Sequence, residues 1–99
     1  MLTIDSFALD LETYLGDQQI QQVRKAYHFA EAAHEGQARR SGEAYITHPL
    51  AVAAILADMH MDHQCLIAAL LHDVIEDTGI PKHIISTEFD EEVANLVDC

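Results

Sequence analysis

Apolar residues along this chain recur at intervals of three and four and show no strand-type alternation, the pattern of amphipathic helices. Ile4, Phe7, Leu11, Tyr14 and Leu15 predict a first helix over 2–15, stopped by Gly16. Asp17 is expected to cap a second, in which Ile20, Val23, Tyr27, Ala30 and His34 recur at steps of 3, 4, 3 and 4 until Gly36. Residues 37–47 read as a loop with Ser41-Gly42 as its turn. His48-Pro49 opens a third helix, followed by apolar residues over 50–59. Proline suits the first helical position, which leaves His48 at or beside the cap. Asp62 is expected to cap a fourth helix running over 63–77. Its Leu66, Ile67, Leu70, Leu71, Val74 and Ile75 make it apolar nearly all round, as in a helix at a domain's centre. Thr78-Gly79 ends it, a short helix follows Pro81, and Asp90 caps a last one with Val93, Leu96 and Val97 on one face. The expected class is all-α, one domain over residues 1–99.

The last helix has no stop signal, only Val97-Asp98-Cys99, so the chain reads as truncated. Val93, Leu96 and Val97 are then expected to be exposed and to drive self-association.

One run changes the picture from fold to chemistry. Leu70-Leu71-His72-Asp73-Val74-Ile75-Glu76-Asp77 brings a His-Asp pair and a Glu-Asp pair out of an apolar segment, one helical turn apart. On a continuous helix His72 lies beside Glu76, and Asp73 beside both Asp77 and Glu76. Like charges at that spacing cost roughly 0.2–0.5 kcal/mol per pair. A helix C-terminus favours cations by about 0.3–1 kcal/mol each. Three carboxylates in that place oppose both rules, and a bound cation is the simplest compensation. A divalent metal needs imidazoles and carboxylates from different segments. Of the seven histidines, His48 is the best third ligand beside His72 and Asp73, because it lies next to Pro49 where the long loop meets a helix. His28, His60, His63 and His83 read as solvated or core residues, His34 as a hydrogen-bonded structural one, and Cys65 as a small core residue.

The formal net charge of −12 disfavours binding to DNA or to an anionic membrane surface. No apolar run approaches the ~20 residues of a membrane span. The N-terminus lacks the pattern of a secretory signal, and two cysteines make no disulfide framework, so a cytoplasmic location is expected. Against this acidity the five cationic side chains stand out, with Arg39 and Arg40 adjacent in one loop. Arginine binds phosphate through paired hydrogen bonds and stacks on aromatic bases.

His48 followed by His72-Asp73 resembles the H…HD signature of the HD superfamily of metal-dependent phosphohydrolases. Ala33-His34-Glu35-Gly36-Gln37, Ser41-Gly42-Glu43, Tyr45-Ile46-Thr47-His48-Pro49 and the block from Ala68 to Thr78 resemble the N-terminal hydrolase domain of the RelA/SpoT alarmone enzymes, in the SpoT-like bifunctional branch. The resemblance implies an HD-domain helical bundle that removes the 3′-pyrophosphate of ppGpp and pppGpp with Mn2+, in the stringent response. It makes His48, His72 and Asp73 metal ligands, and Glu76 and Asp77 the pair that positions or activates water. It lays Arg39 on the guanine base and puts Arg40 and Ser41 in the same nucleotide-facing loop. Two departures stand out. Ala44 occupies the family's usual proline position. The family's fourth metal ligand, an aspartate, comes from a later helix than these 99 residues contain, so this fragment alone is expected to be inactive.

Two other readings compete. One is a non-catalytic regulatory HD module, which the intact His-Asp and Glu-Asp pairs oppose. The other is an HD phosphohydrolase acting on another nucleotide or on NADPH.

Overall fold

The computed structural model describes residues 1–35 and 45–98. Seven helices and no strand occur among them: α1 Ile4–Leu11, α2 Asp17–Ala33, α3 Thr47–Asp58, α4 His63–Leu71, α5 Val74–Thr78, α6 Lys82–Glu88 and α7 Glu91–Val97. The expected all-α class is correct, and no helix among the described residues is long and apolar enough to cross a membrane. The turn centred on Ser41-Gly42, with Arg39, Arg40 and Ser41, lies outside the described residues, as does Cys99.

α4 is the centre of the molecule. It packs against α2 on one side, α3 on another and α7 on a third, which is why its sequence is apolar nearly all round. Leu66, Ile67, Leu70 and Leu71 are each 0–2 % exposed. They meet Val23, Ala26 and Ala30 of α2, Leu50 and Ala53 of α3, and Val93, Ala94 and Val97 of α7 in one continuous core. α1 closes the α2–α3 side with Phe7 and Leu11, while α6 packs on α7 with Ile85 buried between them.

Local chemistry sets the helix ends. Thr3 and Ser6 form a reciprocal capping box at the start of α1. The Asp62 carboxylate accepts from the Cys65 amide at 2.9 Å, and Asp90 accepts from Val93 at 2.7 Å. Gln64 Nε2 donates to the other oxygen of Asp90 at 3.1 Å, tying the start of α4 to the start of α7. Gly79 ends α5 at φ 76°, a left-handed position where a side chain would be strained.

Five expectations need correction. The first helix stops at Leu11 and continues only as turns, because Thr13 and Tyr14 bond three residues back. Asp17 sits inside the first turn of α2 and Gly16 is the cap, its amide donating to Gln19 Oε1 at 3.2 Å. α3 begins at Thr47, so His48 and Pro49 are its second and third residues. Pro49 is tolerated there because the first four amides of a helix have no internal partner. Val93 and Val97 are buried, at 1 % and 8 % exposure, between α7 and its neighbours; only Leu96 of the three faces solvent. The exposed stripe expected to drive self-association is therefore a single residue among those three. The fourth helix also breaks before residue 77, which bears directly on the site below.

Leu66→Ala should destabilise the domain by about 2–5 kcal/mol, since a fully buried leucine loses its contacts to three helices; the urea midpoint measures it, and a loss below ~1 kcal/mol would contradict the central placement of α4. The Asp62 cap makes a pH prediction. The Cys65 amide, with smaller help from His63 and the Gln64 amide, holds the Asp62 carboxyl below its ordinary 3.8. A depressed native pKa gives stability that is full above the unfolded value and is lost as pH falls through the native one. The stability advantage of wild type over Asp62→Asn should therefore shrink as pH drops from about 6 to about 3. A constant difference across that range of urea titrations would refute this.

Candidate functional site

α4 does not run through the acidic block. It stops at Leu71, His72 and Asp73 form a turn, and α5 starts afresh at Val74. The break relieves the conflict noted in the sequence. His72 occupies the C-terminal end of α4, where an imidazole is favoured, and its Nδ1 lies 2.8 Å from the Ala69 carbonyl, one of the acceptors that a helix end leaves unpaired. Asp73 becomes the cap residue of α5, and Glu76 and Asp77 fall in its first turn, where carboxylates are tolerated. The Asp77 amide bonds the Asp73 carbonyl at 2.9 Å, so the two remain one turn apart across the break.

The Asp73 side chain does not cap α5. Its Oδ2 instead faces His72 Nε2 at 3.1 Å and accepts the Tyr45 hydroxyl. A carbonyl can only accept, so His72 Nδ1 carries a proton. Nε2 then either carries a second proton and donates to Asp73, or is a lone pair directed at a carboxylate oxygen. The second arrangement is favoured by a cation in contact with both atoms. An imidazole whose far nitrogen is held by a carbonyl is also how metal-bound histidines are oriented. The His72–Asp73 donor set thus fits a divalent cation on its own chemistry.

A cavity of about 330 Å³ opens beside this pair, lined by His72, Asp73 and Glu76 from the turn and α5, and by Leu96, Val97 and Asp98 from the end of α7. Lys82 reaches its rim, pairing with Asp98 at 3.2 Å. The other described lysine and arginine are also engaged, Arg24 with Asp5 at 2.9 Å and Lys25 with Glu88 at 3.8 Å. Of the expected site residues, His72, Asp73 and Glu76 therefore share one cavity. Asp77 lies on the side of Tyr45. His48 is exposed in the first turn of α3, its amide bonded to the Tyr45 carbonyl at 3.2 Å. Among the described residues no three His, Cys, Asp or Glu side chains converge closely enough to hold a metal. Arg39, Arg40 and Ser41 lie outside the described residues.

Tyr45 escaped the sequence reading as a site residue. It stands in the Tyr45-Ile46-Thr47-His48-Pro49 block, and that was its only signal. Its ring stacks on His34 at 3.8 Å between centroids and 21° between planes. Burial first, and then the Asp73 and Asp77 carboxylates, push its pKa well above the ordinary 10.0, so it stays a neutral hydroxyl donor. His34 is buried, 3 % exposed, at the end of α2. Cys65 is half-buried rather than core, on an apolar groove with Leu56 and Leu96; burial, followed by Asp62, raises its thiol pKa and keeps it un-ionised.

Residues 26–99 match the family model described as HD domain. The chain belongs to the HD-domain family. Within it, the chain groups with the RelA/SpoT type: it is 51 % identical over 98 residues, 99 % of its own length, to the bifunctional (p)ppGpp synthase/hydrolase SpoT of Escherichia coli K12. It is 58 % identical over 69 residues, 70 % of its length, to the guanosine-3′,5′-bis(diphosphate) 3′-pyrophosphohydrolase of Haemophilus influenzae. It is 55 % identical over 76 residues, 77 % of its length, to a probable GTP pyrophosphokinase of Mycobacterium leprae. These stretches span 14 %, 10 % and 10 % of the relatives' own lengths.

The anchored imidazole makes a spectroscopic prediction. In the neutral ring of His72, long-range proton–nitrogen NMR should show the proton on Nδ1 and a bare Nε2. Observation of the opposite tautomer would put the proton on the nitrogen that faces Asp73 and contradict the bond to Ala69.

Proposed function

We propose that this chain is the metal-binding part of an HD hydrolase domain that removes the 3′-pyrophosphate from ppGpp and pppGpp, releasing GDP or GTP and pyrophosphate in the cytoplasm. The observation that carries the proposal is the His72–Asp73 pair, with Nδ1 committed to Ala69 and Nε2 3.1 Å from a carboxylate oxygen. The family match and the names of the relatives choose the reaction.

His48, His72 and Asp73 are the proposed ligands of Mn2+, a metal that accepts mixed imidazole and carboxylate donors. When bound, such an ion polarises a phosphoryl oxygen and makes water more acidic. The protein's share is proton handling and orientation. Glu76, on the cavity wall beside Asp73, and Asp77, one turn from Asp73, are the candidates to take the proton of the attacking water. The 3′ oxygen then leaves phosphorus and is protonated, and pyrophosphate departs. Arg39 is the proposed platform for the guanine base, with Arg40 and Ser41 beside it, since a planar guanidinium stacks on a base where a carboxylate-rich surface would repel the phosphates.

A second reading keeps the fold and drops the catalysis. It draws on one relative's being described as a probable GTP pyrophosphokinase, and on the lack of a three-ligand cluster among the described residues. In the protein of full natural length, His72→Ala or Asp73→Ala should lower manganese-dependent pyrophosphate release from ppGpp by more than about 100-fold, because even the loss of a residue that only orients a metal ligand costs ~10–100-fold. Unchanged release in both variants would favour the non-catalytic module. A preference for GTP, deoxynucleoside monophosphates or NADPH over ppGpp would move the proposal to another substrate.

A further inference from the structure

Tyr45 touches three parts of the molecule at once. Its ring lies on His34, the buried residue at the end of α2, with the two planes 21° apart. Its backbone carbonyl accepts the amide of His48 in the first turn of α3 at 3.2 Å. Its hydroxyl donates to Asp73 Oδ2 in the turn between α4 and α5, and also faces the Asp77 carboxylate. His48 and Asp73 are 25 positions apart in sequence, and this one residue is bonded to both, by its main chain at one end and its side chain at the other.

Asp73 has two side-chain torsions and no capping bond to hold them. Without a donor, its carboxylate could turn toward solvent or toward the α5 amides, which are the usual partners of an aspartate in that position. The Tyr45 hydroxyl removes that freedom, because the phenol is itself fixed by a stack against a residue only 3 % exposed. A hydroxyl suits the task better than a cation would. It donates one hydrogen bond while leaving the carboxylate its charge and its remaining lone pairs.

We infer that Tyr45 is a positioning residue for the site: its hydroxyl, braced on His34, holds the Asp73 carboxylate in the orientation that faces His72 Nε2, and its carbonyl sets the start of the helix that carries His48. The inference rests on the reading of Asp73 as a metal ligand. Tyr45 acts through Asp73 and touches no reacting atom in this role.

The test is manganese binding to the protein, followed by calorimetry and by the EPR signal of free Mn2+, in wild type, Tyr45→Phe and Asp73→Asn. Tyr45→Phe keeps the ring on His34 and the backbone bond to His48, and removes only the hydroxyl. Its metal-free melting temperature should match wild type while its manganese affinity falls about 10–100-fold, the usual cost of losing a residue that orients a ligand. Asp73→Asn should lose more. Wild-type affinity in Tyr45→Phe together with weakened binding in Asp73→Asn overturns the positioning role and leaves the metal site standing. Wild-type affinity in Asp73→Asn, or no binding by the wild type, overturns the reading of Asp73 and the positioning role with it.

Discussion

The site depends on a helix ending at the right residue. Had α4 continued past Leu71, Asp73, Glu76 and Asp77 would have been strung along the negative end of a dipole, and the His72 ring would have lacked the Ala69 carbonyl that now accepts from it at 2.8 Å. The break turns one unfavourable arrangement into two tolerable ones, an imidazole at a C-terminus and carboxylates at an N-terminus. It also points His72 and Asp73 out of the core from a helix packed against α2, α3 and α7. Rigid support of that kind is what holds a polar pair 3.1 Å apart at a solvent-facing edge.

Much of this was legible in the chain. The helical spacing of α2, the caps Asp62 and Asp90 and the burial of α4 all follow from local rules: apolar period and short polar cap. The break at 72–73 does not, because the usual punctuation is absent. There is no glycine or proline between Leu70 and Thr78, and the apolar pattern continues through Val74 and Ile75. What ends the helix is a side chain competing for a backbone carbonyl, and an aspartate leaving the helix interior, neither of which periodicity records. The burial of Val93 and Val97 was likewise hidden, because it depends on where α6 and α7 fold back relative to α4. Tyr45 shows the limit most clearly. Its motif was visible, but its partners His34 and Asp73 are 11 residues before it and 28 after it, and only tertiary structure joins them.

Charge explains why such a surface is workable. With a formal net charge of −12, the chain repels the anions it is proposed to bind. Each described lysine and arginine is already paired with a carboxylate: Arg24 with Asp5, Lys25 with Glu88, Lys82 with Asp98. Exposed pairs of this kind contribute little stability, roughly 0–1 kcal/mol each, but they leave little uncompensated positive charge on the described surface. On the proposed reading, a phosphate-bearing ligand would instead be attracted by a divalent ion held at His72 and Asp73 and by the proposed nucleotide-binding residues Arg39 and Arg40. Attraction confined to one place in a repulsive field would favour a ligand that engages the proposed metal and the proposed arginines together.

That requirement makes the relative placement of segments, more than any single side chain, the quantity the fold has to control. His72 and Asp73 are adjacent in sequence, so their mutual geometry needs only the turn between α4 and α5. His48 arrives from a different helix, and the segment that carries Arg39 and Arg40 joins α2 to α3. Fixing such parts to one another means closing a chain segment, whose entropic cost rises slowly with length and must be offset by contacts at the point of closure. The stack of Tyr45 on His34 and the bond from its hydroxyl to Asp73 are such contacts, located where the segment from α2 re-enters α3. They draw together the end of α2, the start of α3 and the turn after α4. Tyr45 is thus bonded both to the start of the helix that carries His48 and to Asp73, so on the proposed reading the contacts that pack this corner also bear on the placement of two ligands.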